Sequence, residues 1–445
     1  MISRRNFLKT SAAVTGAVAA STTKALAQQA ERTQPAAIAA LQSMRSQAKP
    51  VTGAERQGRI EKARKLMAQH KLDAIMLNGG TSMVYFSNIR WGLSERMFAM
   101  VLPVKGEPFF VCPAFEEDRA AEQIMSDASP FASAKPDIRT WQEDESPWQR
   151  VAQGLKDRGI TTGRIGMEET VRFVFSDGLA QVSPALKIVS GTPVTAGCRT
   201  IKDAHEIELM RLASKVTWHA YKAAYESLKD GMTQTEFAGL VSAAHSKLGF
   251  QGGAGVQVGE FSALPHGSVK PQVITEGTIL LIDGGCSVEG YSSDISRTFV
   301  LGKPTDKMKS VFDLEHRAQS AALAAAKPGV PCEAVDAAAR KVITDGGYGP
   351  DYKYFTHRVG HGMGMDGHEW PYLVRGNKLP LAPGMVFSDE PGIYIRGEFG
   401  VRLEDDMVIT ENGADLMSPQ SPSLEDPFGK WDRLDTARPT RPSRN

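Results

Sequence analysis

Leu280–Val300, LLIDGGCSVEGYSSDISRTFV, is the stretch whose reading decides the fold. Apolar and β-branched residues flank Val288-Glu289-Gly290, and the glycine permits the positive φ of a tight turn, so the stretch predicts a two-stranded hairpin. Folded there, Asp283 is expected opposite Asp294. Cross-strand partners share a face, which sets two carboxylates side by side and pointing the same way. Adjacent carboxylates repel unless something positive sits between them.

A second stretch, Asp389–Asp406 (DEPGIYIRGEFGVRLEDD), repeats the arrangement. Centred on Gly397, it makes Glu390 and Glu404 facing partners on one side of a ladder. Between the two hairpins lies His361, in THRVGHGMGMDGHEWP, where the glycines suit close backbone approach to a crowded site. Either hairpin alone would be an ordinary solvated acidic face. Together they offer four carboxylates and one imidazole, a set that suits two divalent cations. Such a pair, typically about 3.5–4 Å apart, can share a hydroxide nucleophile and polarise a carbonyl.

The order Asp283, Asp294, His361, Glu390, Glu404, with the flanking words DGGCSVEGYSSDISRTF, GHGMGMDGHE, EPGIY and VRLED, resembles the pita-bread metallopeptidases: prolidase, aminopeptidase P and methionine aminopeptidase. The likeness runs from about Arg59 to Gly413 and no ligand position is missing. It implies an α/β (α+β) chain with a creatinase-type N-terminal domain followed by a pseudo-symmetric pita-bread catalytic domain. It also implies a site. Asp283, Asp294, His361, Glu390 and Glu404 would hold two divalent metal ions, manganese first, with iron, cobalt or zinc as alternatives. His266, in ALPHGSV, would line the site and assist proton transfer. His357 would be a second active-site histidine, and His368 would hold the substrate carbonyl or the intermediate. Arg402, two residues before Glu404 and so on the same strand face, would support the site. Glu390 would accept the proton of the attacking hydroxide. The implied reaction is hydrolysis of Xaa-Pro amide bonds in dipeptides or at peptide N-termini by a metal-bridging hydroxide. Two alternatives share the scaffold: a lyase acting on dimethylsulfoniopropionate, and a binding protein without activity.

The same likeness suggests a homodimer in which the N-terminal domain shapes the partner's pocket, with Tyr85, Arg90, Trp91 and Arg96 of MVYFSNIRWGLSER as candidates and Arg90 and Trp91 as substrate contacts. The competing reading is that Tyr85 and Trp91 pack in the core of their own domain.

Toward the start, MISRRNFLKTSAAVTGAVAASTTKALA has a basic opening, a modest apolar region and a small-residue end, the pattern of an export signal. Ser3–Lys9 is a close twin-arginine match and Ala25-Leu26-Ala27 a cleavage site. Residues 1–27 are therefore expected to be a twin-arginine signal peptide, used by the export machinery of that name and leaving a periplasmic protein with no membrane segment. Residues 28–51 read as a linker or peripheral segment, 52–195 as the N-terminal domain, 196–413 as the catalytic domain and 414–445 as a peripheral or partly disordered tail. The junction is placed at GTPVTAG, Gly191–Gly197, where periodicity breaks.

Charge is balanced, at a formal +1, which argues against nucleic acid as a partner; a small peptide substrate is what the resemblance implies. Cys112, Cys198, Cys286 and Cys332 are too scattered for a zinc ribbon or a disulfide framework. Cys286 reads as a small core filler. Capping-box patterns at Asp203/Glu206 and Thr233/Glu236 start two helices, and further helices are expected over 307–327 and 332–343. His70, His205, His219, His245 and His316 fall on helical stretches and read as structural or solvated.

Overall fold

The computed structural model describes residues 34–133 and 135–431, so the expected signal peptide and the end of the tail lie outside the described residues. The first domain is built on a six-stranded sheet of β1 (Ala74–Asn78), β2 (Ala99–Pro103), β3 (Phe109–Pro113), β4 (Ile138–Trp141), β5 (Gly163–Met167) and β6 (Leu186–Ser190), in the order β4-β3-β2-β1-β5-β6. Helices cover both faces. Ile75, Leu77, Met100, Leu102 and Phe110 pack under α1 (Gly53–His70), α2 (Thr81–Ser87) and α3 (Glu117–Ile124). The alternate residues Ala74, Met76, Ala99, Val101 and Phe109 pack under α4 (Pro147–Asp157) and α5 (Phe173–Val182). Strands buried on both faces explain why these runs are apolar without alternation.

The helix α6 (Thr192–Thr200) occupies the segment where the sequence suggested a junction. Its Val194 and Cys198 belong to the core of the first domain. The boundary therefore falls near Ile201, several residues later than residue 195, because Pro193 at the start of a helix is a helix opener and not a breaker.

The second domain repeats a plan of two helices followed by a sheet. First come α7 (Ala204–Tyr225) and α8 (Gln234–Lys247), each opened by the expected capping box. They cover a sheet of β7 (Gly252–Val258), β8 (Ile279–Val288), β9 (Tyr291–Ser292) and β10 (Ile295–Val300). Then α9 (Asp306–Ala325) and α10 (Cys332–Asp345) precede β11 (Gly360–Gly362), β12 (Glu369–Leu373), β13 (Val386–Asp389), β14 (Gly392–Ile395), β15 (Phe399–Arg402), β16 (Asp405–Ile409) and β17 (Ala414–Leu416). Leu280 and Ile282 face the core under α7 and α8, so the period-2 alternation turns Asp283 to the opposite face. That face carries the site.

The segments expected to be peripheral are packed. In the segment expected to be a linker or peripheral, Ile38, Met44 and Val51 are buried against Leu209, Val216 and Leu248 of the second domain. Residues 414–431 of the tail are likewise packed: β17 pairs with β16, and Met417, Leu424 and Phe428 each enter a different core cluster. Proline and charge mark those segments as irregular, but single apolar anchors hold an irregular chain in place.

Candidate metal centre

The first hairpin turns at Glu289-Gly290, both with positive φ, between the paired Val288 and Tyr291. The register differs from expectation by two. Asp283 pairs with Ser296, and Asp294 lies two positions nearer the turn, just outside β10. A slip of two preserves the face, so the two aspartates still converge, as diagonal neighbours. The cause is the position of the turn: with Glu289-Gly290 at its tip, the ladder keeps one register from Val288–Tyr291 and Ser287–Ser292 through Asp283–Ser296, and the Asp294 amide donates to the Asp406 carboxylate at 3.2 Å.

The second hairpin keeps its register through two ladders. Asp389 pairs with Asp405 and Gly392 with Arg402, so Glu390 and Glu404, between those pairs, lie across from one another. His361 enters from β11, where a Cβ at Gly360 would meet the Ser388 carbonyl at 2.0 Å and one at Gly362 the Glu369 carbonyl at 2.6 Å. Only glycine lets the backbone carry the imidazole so close.

Three overlapping groups of ligand atoms result, Asp283/Asp294/Glu404, His361/Glu390/Glu404 and Asp294/His361/His368, each with its atoms within 4.8 Å of one another. The His361 Nδ1–H donates to the Gly362 carbonyl at 3.1 Å, which leaves the Nε2 lone pair facing Glu390 Oε1 at 3.2 Å and Asp294 Oδ2 at 3.9 Å. Imidazole nitrogen and carboxylate oxygens thus converge on one point, an arrangement of ligand atoms that fits a cation. Burial, followed by the charges of Asp283, Asp406 and Glu390, pushes the Asp294 carboxyl well above its usual range. Burial and the charges of Asp294, Glu390 and Asp283 do the same to Glu404. Bound divalent ions would supply the missing positive charge. The donor set of carboxylates and imidazole fits them.

The five residues line one cavity of about 380 Å³ together with His266, His357, His368 and Arg402. Arg402 is buried and fully committed: Nη2 contacts Asp283 Oδ2 at 2.8 Å, Nε donates to Ser296 Oγ at 3.0 Å, and Nη1 donates to the Tyr394 hydroxyl at 2.9 Å and the Pro265 carbonyl at 3.1 Å. Because Tyr394 Oη accepts from Arg402, its own proton goes to His357 Nε2, 2.7 Å away, while His357 Nδ1–H donates to the Arg358 carbonyl. Burial holds His357 below its ordinary pKa, so it is neutral and internally satisfied. His368 Nδ1 accepts from Arg358 Nη2 at 3.0 Å, which places the ring proton on Nε2. Its ring stacks on His361 at 3.7 Å. His266 is exposed at the rim.

Arg90 and Trp91 do not line this cavity. Trp91 is buried, stacked on Phe98 at 4.1 Å under the Arg119 guanidinium, and Tyr85 is buried with its hydroxyl on the Cys198 carbonyl. Arg90 is exposed, and Arg96 pairs with Glu143 and Glu95 at the surface.

The residues of this chain from 208 to 411 match the metallopeptidase family M24, those from 59 to 201 the creatinase/prolidase N-terminal domain, and those from 1 to 21 the twin-arginine translocation signal sequence. The Xaa-Pro dipeptidase of Lactobacillus delbrueckii subsp. lactis is 32% identical over 372 residues, covering 80% of this chain and 95% of that one. The chain belongs to metallopeptidase family M24. Its structure superposes on the dipeptidase PepE of Mycobacterium ulcerans with a TM-score of 0.78 at 32% identity, over 85% of this chain and 99% of that one. The prolidase of Thermococcus sibiricus gives 0.72 at 29%, over 82% and 96%. As an M24 member the protein is a metal-dependent peptidase, and its signal sequence marks it for export. Among the described residues no helix is long and apolar enough to cross a membrane.

For this M24 site, sequence reading passed over Ser296, Tyr394, Tyr352, Arg358 and Val374. The Ser296 hydroxyl sits 2.9 Å from Asp283 Oδ1 and 2.6 Å from Glu404 Oε2, tying the two hairpins together. Strand parity could have found two of them: Ser296 shares a face with Asp294, and Tyr394 with Glu390. Tyr394 has room because residue 392 is glycine, whose Cβ would meet the tyrosine hydroxyl at 2.5 Å. Tyr352 and Val374 come from irregular connections and carry no such signal.

Proposed function

We propose that the protein is an exported two-metal hydrolase that cleaves Xaa-Pro bonds in dipeptides or at peptide N-termini, working in the periplasm as a homodimer. The convergence of Asp283, Asp294, His361, Glu390 and Glu404 with three further histidines and Arg402 on one cavity of about 380 Å³ carries the reading. The curated and solved relatives named above include an Xaa-Pro dipeptidase and a prolidase, which supports the substrate class.

When bound, a pair of divalent ions, manganese, iron, cobalt or zinc, would supply Lewis acidity to the scissile carbonyl and lower the pKa of the attacking water. Asp283, Asp294 and Glu404 would hold one ion, and His361, Glu390 and Glu404 the other. The rest falls to the chain's own groups. Glu390 takes the proton of the attacking water. His368 donates its Nε2–H to the carbonyl oxygen as negative charge develops there. A prolyl amide nitrogen bears no hydrogen and must be protonated as its bond to carbon breaks; exposed His266 or Glu390 can deliver that proton. His357 and Tyr394 keep Arg402 oriented toward Asp283. Of the N-terminal candidates, Tyr85 and Trp91 are packed away, so a contribution to a partner's cavity rests on Arg90 and Arg96.

Purified mature protein should contain divalent metal and hydrolyse Xaa-Pro dipeptides or longer Xaa-Pro peptides in preference to Xaa-Ala counterparts. Metal-loaded protein that leaves every Xaa-Pro peptide intact but releases dimethyl sulfide from dimethylsulfoniopropionate would replace the reading with the lyase. A monomer with full activity by light scattering would remove the dimer.

A further inference from the structure

His368 sits at the end of the loop Met363–His368, which joins β11 to β12. Its ring is oriented by Arg358 and by the His361 ring it stacks on, but the backbone that carries it is open: a Cβ added to the neighbouring Gly367 would meet nothing within 4 Å. The loop is anchored on either side of that glycine, and both anchors run to the first domain and its exit. Before it, Asp366 Oδ1 accepts from the Thr81 hydroxyl at the start of α2, and Asp366 Oδ2 pairs with Arg199 Nη1 of α6 at 2.7 Å. After it, Glu369 is buried. Its Oε1 accepts the Met365 and Asp366 amides at 3.1 Å and lies 3.3 Å from Arg199, and its Oε2 accepts from Lys202 at 3.4 Å. Arg199 is itself buried. It reaches the loop from a different domain than the one that carries the metal ligands. A charge-assisted pair of this kind, with one partner buried, fixes direction as well as distance.

We infer that Asp366 is a positioning residue: held by Thr81 and Arg199, it lets the first domain set where the His368 imidazole stands over His361. This rests on the reading of His368 as the donor to the substrate carbonyl. An interaction made in the transition state is sensitive to small displacements, and a 1 Å misplacement can cost about a hundredfold in rate. The pair therefore acts on kcat through His368, while the metal ligands keep their geometry: four come from the two hairpins, and His361, on β11 ahead of the loop, is held by its own bonds to Ser388 and Gly362.

The test uses metal-loaded full-length mature protein and a thermodynamic cycle of D366N, H368A and the double variant, with T81V as a milder probe that removes a single hydrogen bond. H368A should lose about a hundredfold or more in kcat, as removal of an oxyanion donor does. D366N should lose about tenfold to a hundredfold in kcat, with metal content and KM little changed, and T81V a smaller part of the same loss. In the double variant the loss should equal that of H368A alone, because Asp366 has nothing left to position. A general structural role would not produce that non-additivity. Multiplying losses in the double variant, or full kcat in both D366N and T81V, would overturn the coupling while leaving His368 in place. An undiminished H368A would overturn the role of His368 and the coupling with it.

Discussion

At the scale of single residues, Glu404 separates a metal centre from a merely acidic groove. Its carboxylate belongs to two of the three ligand groups. Glu404→Gln removes one negative charge and replaces an oxygen by an amide nitrogen that cannot ligate, so metal content should fall and activity drop by about three orders of magnitude or more. The melting temperature should move toward that of the chelated wild type, since stabilisation by bound metal is lost. In an acidic groove the same change relieves repulsion and raises stability, so the two readings differ in sign. A second buried acid lies outside the site. Glu168, at the end of the first domain's β5, has one oxygen without a partner, and burial pushes its carboxyl up to about 7, with Arg199 offsetting only part of this. Its folded pKa exceeds the unfolded value, so the native state binds more protons than the unfolded one between about pH 4.5 and 7, and stability falls as pH rises through that window. Glu168→Gln mimics the protonated form. It should stabilise the protein at pH 8 by up to about 3 kcal/mol and change little at pH 4.5, as read from urea midpoints at equal metal loading.

At the scale of elements, the hairpins were legible because parity survives error. The Asp283 strand was read two positions out of register, yet the aspartates stayed on one face, since only an odd shift would separate them. The Glu390–Glu404 pairing was readable outright, as Gly397, at φ 81°, centres both ladders. What sequence could not give were contacts made by irregular chain. Residues 417–424 read in sequence as part of a peripheral or partly disordered tail; in the structure Ser418 donates to Asp405, the Pro419 carbonyl accepts from Arg297, and the Val300 amide donates to the Leu424 carbonyl. Arg297 also donates to the Glu404 carbonyl at 2.8 Å and pairs with Asp405 at 2.7 Å, fully buried. The tail thus closes the back of the metal-bearing strands. Leu424 is 1% exposed in the core under α9 and α10, so Leu424→Ala should cost about 2–5 kcal/mol of stability by calorimetry. A free tail would show no loss.

At the scale of the whole molecule, the two domains share more than a hinge. Arg59 of α1 is buried and donates from Nη1 to the Tyr85 carbonyl at 3.1 Å within its own domain. Its Nη2 crosses to the second domain, 2.7 Å from the Tyr291 hydroxyl and 3.5 Å from Glu206. Tyr291 in turn donates to Glu206 Oε1 at 2.7 Å. Glu206 closes the capping box of α7, and Tyr291 follows the turn of the hairpin that carries Asp283 and Asp294. One guanidinium therefore joins the first domain, the first helix of the second domain and the metal-bearing hairpin. The sequence showed the capping box but not its partner, because nothing local says that an arginine 147 residues away ends beside it. Arg59→Met fills the space and leaves Glu206 buried without its counter-charge. Breaking a buried pair from one side costs about 3–5 kcal/mol, whereas removing both charges can be close to neutral. Arg59→Met should thus lower the urea midpoint sharply, and adding Glu206→Gln should restore part of the loss even though it removes a second native contact. If the domains were held by apolar packing alone, the second change would only add to the first.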